Sequence, residues 1–207
     1  MSVVAAGFSG APKDYFELFQ IEPRFDVDVD DLGQRFRTLQ RRFHPDKYSG
    51  GSAAEQRLAA QVSADINAGY QALKDPISRA RHLLERQACD LRALERRPVS
   101  GDFLMQQMQL RDEAESLDPN DDGGREVLKA KAQALMTSEL LSFQEAIEKE
   151  DYELAGSAWV HLLYLHKLNK EVAGSSDLVR RRHGFATDIR TRCGRQSACG
   201  AKVGSGY

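Results

Sequence analysis

The sequence of 207 residues has few of the features that mark secreted, membrane-spanning or disulfide-stabilised proteins. Its three cysteines cannot all pair within one chain, which argues against a secreted disulfide framework. Residues 1–12 contain no lysine or arginine, so they lack the charge of a secretion signal or a mitochondrial transit peptide. No apolar run approaches the roughly 20 residues that span a bilayer. We therefore predict a cytoplasmic protein without membrane contact.

An excess of charge and the common catalytic motifs are also missing. The formal net charge is −2, which does not favour nucleic acid as a partner, although the arginines at 180–182 leave a weaker alternative there. The sequence has no glycine-rich phosphate loop, nucleophile elbow or zinc protease motif, so we expect neither enzymatic activity nor a cofactor. Cys193 and Cys199 with His183 fit no common zinc spacing, and no metal site is predicted.

Helical periodicity dominates, and no segment shows the sustained alternation of a half-buried strand, so the sequence predicts an all-α fold. The first four predicted helices cover residues 14–19, residues 29–43, a long segment from the loop at 49–52 to Asp75, and a segment beginning at Pro76. The two long helices on either side of a tight loop must run antiparallel and bury their facing apolar stripes.

A second helical unit follows a mixed connection at 90–101. Its three predicted helices cover about 102–117, 124–149 and 151–171, and a three-helix bundle is their natural packing. The predicted organisation is a flexible N-terminus (1–12), a first domain (13–88), a linker (89–101), a second domain (102–172) and a disordered basic tail (173–207).

The motif His44-Pro45-Asp46-Lys47 lies between a basic amphipathic helix and the next long helix. Pro45 fixes φ, so His44 and Asp46 are held in a restricted geometry. A fixed carboxylate suits an arginine of a partner, and the arginines at 35, 37, 41 and 42 would complement an acidic surface. The plain alternative is that His44-Pro45 only ends a helix and the arginines are solvated.

With these flanks, residues 13–86 resemble a J domain, and the resemblance to the HscB family of J-domain co-chaperones extends over roughly residues 13–171. The resemblance implies an antiparallel helical hairpin with short flanking helices, which engages the ATPase and linker region of a DnaK/HscA-type chaperone. The residues to which it assigns this contact are Arg37, Arg41, Arg42, His44, Pro45, Asp46 and Lys47.

The helix predicted from residue 102 has more apolar surface than one core stripe needs. One stripe comprises Phe103, Leu110, Ala114 and Leu117. Leu104, Met105 and Met108 fall beside or behind this stripe on a helical wheel. Such an excess is either a wide face buried between two neighbouring helices or an adaptable protein-binding patch.

The resemblance to HscB favours the patch, because the matching positions in that family contact IscU, the scaffold on which iron–sulfur clusters are assembled. The client-binding residues that it implies are Leu104, Met105, Met108, Asp112 and Tyr164. Gln109 and Ser116 replace residues that are often acidic in the family, so we expect a less acidic patch here. The implied function is stimulation of the chaperone ATPase with delivery of IscU; a general J-domain co-chaperone with another client is the alternative.

Overall fold

A computed structural model of the chain describes residues 14–118 and 121–170, and all regular structure in these residues is helical. The helices are α1 (Tyr15–Phe19), α2 (Val29–Phe43), α3 (Ala53–Lys74), α4 (Pro76–Arg86), α5 (Leu91–Glu95), α6 (Gly101–Ser116), α7 (Asp122–Glu148) and α8 (residues 152–170). The all-α prediction is confirmed. The predicted flexible N-terminus and basic tail, with Cys193, Cys199 and His183, lie outside the described residues.

Helix boundaries coincide with capping side chains. Ser52 precedes α3, and its Oγ accepts a hydrogen bond from the backbone N–H of Glu55 at 3.3 Å. The Glu55 carboxylate in turn accepts from the Ser52 N–H at 2.8 Å and from the Ser52 hydroxyl at 2.9 Å, and these two hydrogen bonds lower the pKa of Glu55. Asp28 caps α2 and Asp75 caps α4 in a similar way. The caps fix where the two long helices begin relative to the loop between them.

The α2–α3 hairpin buries most of the facing stripes that the sequence predicts, although Leu58, which has the spacing of the α3 stripe, is 57% exposed. Leu32 of α2 and Ile66 of α3 are fully buried, and the rings of Phe36 and Tyr70 stack at 4.2 Å between centroids. Helix α1 crosses α3 at Gly69, where a Cβ atom would lie only 2.8 Å from Cδ1 of Tyr15. Because Gly69 has no side chain, α1 can pack closely against α3 and support the hairpin.

A buried arginine joins the end of α3 to the segment between α1 and α2. Arg79 is 6% exposed, and its guanidinium donates to the backbone oxygens of Leu73 at 2.7 Å and Phe25 at 2.6 Å. Burial lowers its pKa, and nearby carboxylates oppose that shift. These bonds satisfy backbone oxygens that would otherwise be left unpaired at a helix end.

The connection between the two predicted domains contains a helix. Asp90 caps α5, and Leu94 is 5% exposed, packed against Gly156 of α8. A Cβ atom at Gly156 would lie 2.6 Å from Cδ2 of Leu94, so this contact needs glycine. The sequence does not reveal the helix Leu91–Glu95, because five residues are too few to show a helical period.

One hydrophobic core crosses the connection between the two predicted domains. It contains Phe16, Leu32 and Ile66 from the hairpin side and Phe143, Trp159 and Leu162 from α7 and α8. The rings of Phe25 and Phe143 meet at 4.9 Å between centroids. A smaller cluster of Leu110, Leu128 and Leu168 closes the far end of the bundle. The N-terminal hairpin and the C-terminal bundle are therefore packed together.

Helix α7 begins two residues before its predicted start at 124. The carboxylate of Asp121 accepts a hydrogen bond from the Gly124 N–H at 2.8 Å, so Gly123 and Gly124 lie within the first turn. A strong cap offsets the poor helix propensity of glycine there. Within the residues that the structure describes, no helix is both long and apolar enough to cross a membrane.

Candidate protein-interaction sites

The loop that closes the hairpin has a defined backbone. Helix α2 ends at Phe43, and Pro45–Tyr48 forms a 3₁₀ turn with His44 as its cap. The Asp46 N–H donates to Nδ1 of His44 at 3.3 Å, and the Lys47 N–H donates to the His44 carbonyl oxygen at 3.1 Å. Local hydrogen bonds and the fixed φ of Pro45 therefore hold the loop in one conformation.

The Asp46 carboxylate projects from this loop into solvent. Its side chain is 88% exposed, and Oδ2 lies 3.4 Å from Nδ1 of His44. Nδ1 accepts the Asp46 N–H only when the imidazole nitrogen carries no proton, so in that state no ion pair links the two side chains. The carboxylate can then accept hydrogen bonds from a cationic side chain of a partner.

Basic side chains of α2 extend along the same face as the loop. Arg37, Arg41, Arg42 and Lys47 are exposed, and the Arg42 guanidinium lies 5.3 Å from the centroid of the Phe43 ring. These charges create a positive surface beside the Asp46 carboxylate. All seven residues assigned to chaperone contact are solvent-exposed.

Arg35 differs from the other arginines of α2. Its guanidinium donates to the carbonyl oxygens of Phe19 at 3.1 Å and Gln20 at 2.7 Å, and it pairs with Asp31 at 2.8 Å. Gln20 has a left-handed backbone (φ 54°) at the end of α1, so Arg35 pairs with backbone groups at that helix end. The sequence interpretation that grouped Arg35 with a partner-facing surface is therefore corrected: it ties α2 to α1.

The apolar side chains outside the predicted stripe of α6 face solvent. Leu104, Met105 and Met108 are 44%, 61% and 63% exposed, whereas Phe103 and Leu110 are each 6% exposed. The wheel therefore separates the two sets correctly. Of the two interpretations, the geometry favours an exposed patch over a face buried between helices.

Tyr164 of α8 stands beside this helix. Its ring meets the Phe103 ring edge-on at 6.4 Å, and it is 43% exposed. Phe103 also stacks on His161 at 3.9 Å, and Nδ1 of His161 lies 3.2 Å from a carboxylate oxygen of Glu139 on α7. These contacts fix the side of α6 next to α8. We call Leu104, Met105, Met108 and Tyr164 the α6 patch; Asp112 is exposed one turn beyond Met108.

Sequence reasoning missed His161 and Glu139, which support the patch from beneath. It also missed Gln107, which is 7% exposed on the buried side of α6 and whose Nε2 has no hydrogen-bond partner among the described residues. The available signal was spacing: His161 precedes Tyr164 by three residues, and Gln107 follows Phe103 by four, so each pair shares a helix face.

Metal-binding side chains do not gather at either surface. Within 14–118 and 121–170, no group of three or more histidine, cysteine, aspartate or glutamate side chains is arranged to hold a metal ion. Cys89 is half-buried, and burial raises the pKa of its thiol.

A helical hairpin closed by an exposed His44-Pro45-Asp46 loop and packed on a second helical bundle is the architecture of a J-type co-chaperone. Residues 99–173 match the family model described as the HSCB C-terminal oligomerisation domain. A co-chaperone protein HscB homolog of Photobacterium profundum is 36% identical over 161 residues, covering 77% of this chain and 94% of that protein.

Solved structures agree with this match. HscB from Vibrio cholerae has a TM-score of 0.72 and 33% identity, covering 80% of this chain and 99% of that one. Human HscB has a TM-score of 0.75, 22% identity, and coverage of 81% and 84%, which is a likeness of fold alone. The chain belongs to the HscB family of co-chaperones.

Proposed function

We propose that the chain stimulates the ATPase of a DnaK/HscA-type chaperone and delivers an IscU-type scaffold to it, assisting iron–sulfur cluster assembly and transfer in the cytoplasm. In this role it has no catalytic activity of its own. The observation that carries the proposal is the pair of exposed surfaces on one chain, a polar one at the end of α2 with its loop and an apolar one on α6 with Tyr164 of α8. Residues 13–88 and 102–172 are the proposed functional units, joined by 89–101.

On the chaperone side, the proposed contact is electrostatic. Arg41, Arg42 and Lys47 would accelerate encounter with an acidic surface, while the fixed Asp46 carboxylate would pair with an arginine of the chaperone. His44 contributes by holding the turn, because its Nδ1 accepts the Asp46 N–H. Loop geometry and charge then act together, and loss of either should weaken stimulation.

On the client side, the proposed contact is apolar. The exposed methionines of the α6 patch can adapt to an irregular partner surface, and covering them removes apolar area from water. Asp112 at the edge suits the polar rim that surrounds the apolar centre of most interfaces. The exposure of these side chains in the free chain means that no rearrangement is needed to present them.

The coupling between the two contacts requires differential affinity. In the proposed cycle the chain binds the client through its second domain and the ATP-bound chaperone through its first domain, and this favours hydrolysis and client capture together. The shared core supports such coupling by joining α2 and α3 to α7 and α8. The role of the chain is to bring the client and the chaperone together in one complex.

The test is a titration in reducing buffer of the full chain with an IscU-type scaffold and an HscA-type chaperone, each purified. We expect direct binding of the scaffold, a rise in ATP hydrolysis with the chain alone, and a larger rise when chain and scaffold are present together. If the chain stimulates hydrolysis under none of these conditions, the proposal is overturned.

A general J-domain co-chaperone with a different client is the second candidate. The exposed Gln109 beside the α6 patch and the tyrosine at 164 favour it, because they make the surface less acidic and more polar than the family resemblance leads one to expect. Stimulation of the chaperone without measurable binding of the scaffold would select this candidate.

A further inference from the structure

The outward side of α6 changes from apolar to acidic along the helix. At 100° per residue, Met105, Met108, Asp112 and Glu115 fall within about 80° of one another, and all four are exposed. The two methionines belong to the α6 patch, and the two carboxylates extend it towards the C-terminal end of the helix. We call these four residues the α6 stripe.

The acidic end of the α6 stripe offers carboxylates to a cationic segment. Among the described residues, neither Asp112 nor Glu115 forms an ion pair, whereas Glu113 between them pairs with Lys131 of α7 at 2.7 Å. Arg111, the one basic residue of α6, already has an interaction partner. A cationic segment that lies on the stripe would therefore meet two carboxylates that no other side chain neutralises.

Residues 171–207 continue the chain from the end of α8, beside this acidic end. Leu168 packs with Leu110 of α6 in the smaller hydrophobic cluster, so the end of α8 lies next to the C-terminal half of α6. Nine residues separate Lys170 from Arg180, and nine extended residues span about 30 Å. Because neighbouring helix axes are only about 8–10 Å apart, the segment from Arg180 onwards can reach any part of the α6 stripe.

The order of basic and apolar side chains in this segment matches the order along the α6 stripe. Arginines at 180–182 come first, and the apolar side chains of Phe185 and Ile189 follow. From the end where the segment arrives, α6 presents its carboxylates first and its methionines second. Asp112 and Met105 lie about 10 Å apart along the helix, and enough residues separate the arginines from Ile189 to span that distance in a helix or an extended chain.

We propose that residues 180–189 of this chain bind the α6 stripe, with the arginines on its carboxylates and the apolar side chains on its methionines. Arginine pairs with carboxylates in a fixed geometry, and covering the methionines removes apolar area from water. The bound segment occludes part of the α6 patch and so competes with the client, a consequence that rests on the proposed function. When the segment leaves, the patch is presented without movement of any helix.

The contact is weak and reversible, and the short linker keeps it populated. Such a linker holds a segment at an effective concentration in the millimolar range, so a contact with a millimolar dissociation constant is occupied about half of the time. Occupancy of that size weakens client binding about twofold. Loss of the contact should therefore tighten binding of the scaffold by about twofold or more.

The contact is tested in the full chain by carbon-13 labelling of its methionine methyl groups, without scaffold. Met105 and Met108 belong to the α6 stripe, whereas Met136 packs against the core. A spin label on Cys193, with the other two cysteines replaced by serine, should broaden the signals of Met105 and Met108 much more than that of Met136. Equal broadening of all three signals, or broadening of none, would overturn the contact.

A mixed sample shows whether the contact lies within one chain. Carbon-13-labelled chains that carry no spin label are mixed with spin-labelled chains at natural isotope abundance. Little broadening is expected in this mixture. Broadening as strong as in the doubly labelled chain would mean that the segment binds another copy, which would overturn the proposed contact.

Reversing the charge of the segment should release it. The variant that combines Arg180→Glu, Arg181→Glu and Arg182→Glu should lose the selective broadening and bind scaffold about twofold or more tightly than the wild type. The matched control makes the same change of charge beyond the segment, and both of its readouts should remain as in the wild type. Its substitutions are Arg192→Glu, Arg195→Glu and Lys202→Glu. Equal effects of the two triple variants would overturn the assignment to residues 180–189.

A charge swap tests the partner residues on α6. Asp112→Lys with Glu115→Lys should also abolish the selective broadening, and combining this pair with the three arginine reversals should restore it. Circular dichroism shows that each variant keeps its helices. No restoration in the combined, folded variant would overturn the pairing of the arginines with these carboxylates.

The two readouts separate this contact from the proposed function. If no variant binds scaffold but the selective broadening is present, the proposed function is overturned and the contact within the chain is supported. If the arginine reversals abolish the broadening but leave the affinity for scaffold unchanged, the competition with the client is overturned.

Discussion

The loop at His44 and the α6 patch are both exposed to solvent, but the free-energy cost of that exposure differs between them. The loop presents polar groups, such as the Asp46 carboxylate, that water solvates well. The patch presents Leu104, Met105 and Met108, whose contact with water is unfavourable until a partner covers them. Exposure alone is therefore weak evidence of function at the loop and stronger evidence at the patch.

The two regions also differ in what holds them. The loop is fixed by its own hydrogen bonds, from the Asp46 N–H to Nδ1 of His44 and from the Lys47 N–H to the His44 carbonyl oxygen. The patch is a row of side chains on a regular helix, held from beneath by Phe103 and His161. Binding at the loop should thus depend on geometry and salt, and binding at the patch on the apolar area that is covered.

The largest effect is expected from His44→Gln. It should abolish stimulation of the chaperone ATPase while leaving scaffold binding unchanged, because the loop and the α6 patch are on different helices. The exposed site predicts unchanged helical content by circular dichroism. Unfolding of the variant, or full stimulation by it, would remove His44 from the chaperone contact.

The second largest effect is expected from a triple variant that combines Leu104→Ala, Met105→Ala and Met108→Ala. Scaffold binding should weaken strongly, while thermal stability and basal stimulation stay nearly unchanged, because exposed truncations cost little. Isothermal titration and thermal denaturation measure the two quantities. A large fall in melting temperature would show that these side chains belong to the core.

Two control variants are compared with the triple variant. Leu110→Ala truncates the buried side of the same helix and should cost about 2–5 kcal/mol of folding free energy. Leu58→Ala with Leu154→Ala truncates equally exposed leucines elsewhere and should leave scaffold binding intact. Loss of binding in this double variant would mean that any exposed apolar group contributes, which would contradict a defined patch.

A smaller effect is expected from Arg41→Glu with Arg42→Glu. Association with the chaperone should slow roughly tenfold or more at low salt, because the reversed charges repel an acidic surface. The difference from wild type should shrink as salt shortens the screening length. Stopped-flow association at several salt concentrations measures it, and equal rates at low salt would exclude both arginines from the contact.

The smallest effect is a loss of stability in mild acid that depends on His82. Its imidazole is 7% exposed, and its Nε2 accepts the Tyr15 N–H at 3.1 Å. Burial lowers its pKa, opposed chiefly by Glu85, while Asp14 and Arg86 also face this cluster. The unfolded chain therefore binds the proton more readily, and stability falls as the pH drops below the ordinary histidine pKa of about 6.5.

Denaturant titrations between neutral and mildly acidic pH measure this loss of folding stability. His82→Gln keeps a hydrogen-bond acceptor for the Tyr15 N–H but cannot titrate in this range, so its stability should fall less steeply with acid than that of the wild type. Equal slopes for the two proteins would show that His82 contributes nothing to the acid response.

Most of the N-terminal hairpin could be predicted because its signals are local. Asp28, Ser52 and Asp75 mark helix starts, and the apolar spacing of Leu32, Phe36 and Leu39 sets the buried face. The composition of the loop is informative for the same reason, since Pro45 acts on its own neighbours. The helical wheel separated Leu104, Met105 and Met108 from the core stripe, but it left open whether they are buried between helices, and the resemblance to the family favoured their exposure.

Other features depend on contacts distant in sequence. Nothing around Leu94 indicates that it packs on Gly156, so α5 and the shared core were not predicted. Arg35 and Arg79 look like surface arginines until the backbone oxygens they reach are known. Gln107 has the helical spacing of a core residue, but its side chain is polar, and the sequence analysis did not place it in the core.

The central claim, two separate surfaces on one molecule, is tested most directly by inhibition. An excess of the His44→Gln variant is added to wild-type chain, scaffold and chaperone, and client-dependent ATP hydrolysis is measured. The variant should bind scaffold without delivering it and so lower hydrolysis, whereas the same variant that also carries the Leu104, Met105 and Met108 truncations should not. Inhibition by both variants, or by neither, would contradict the account.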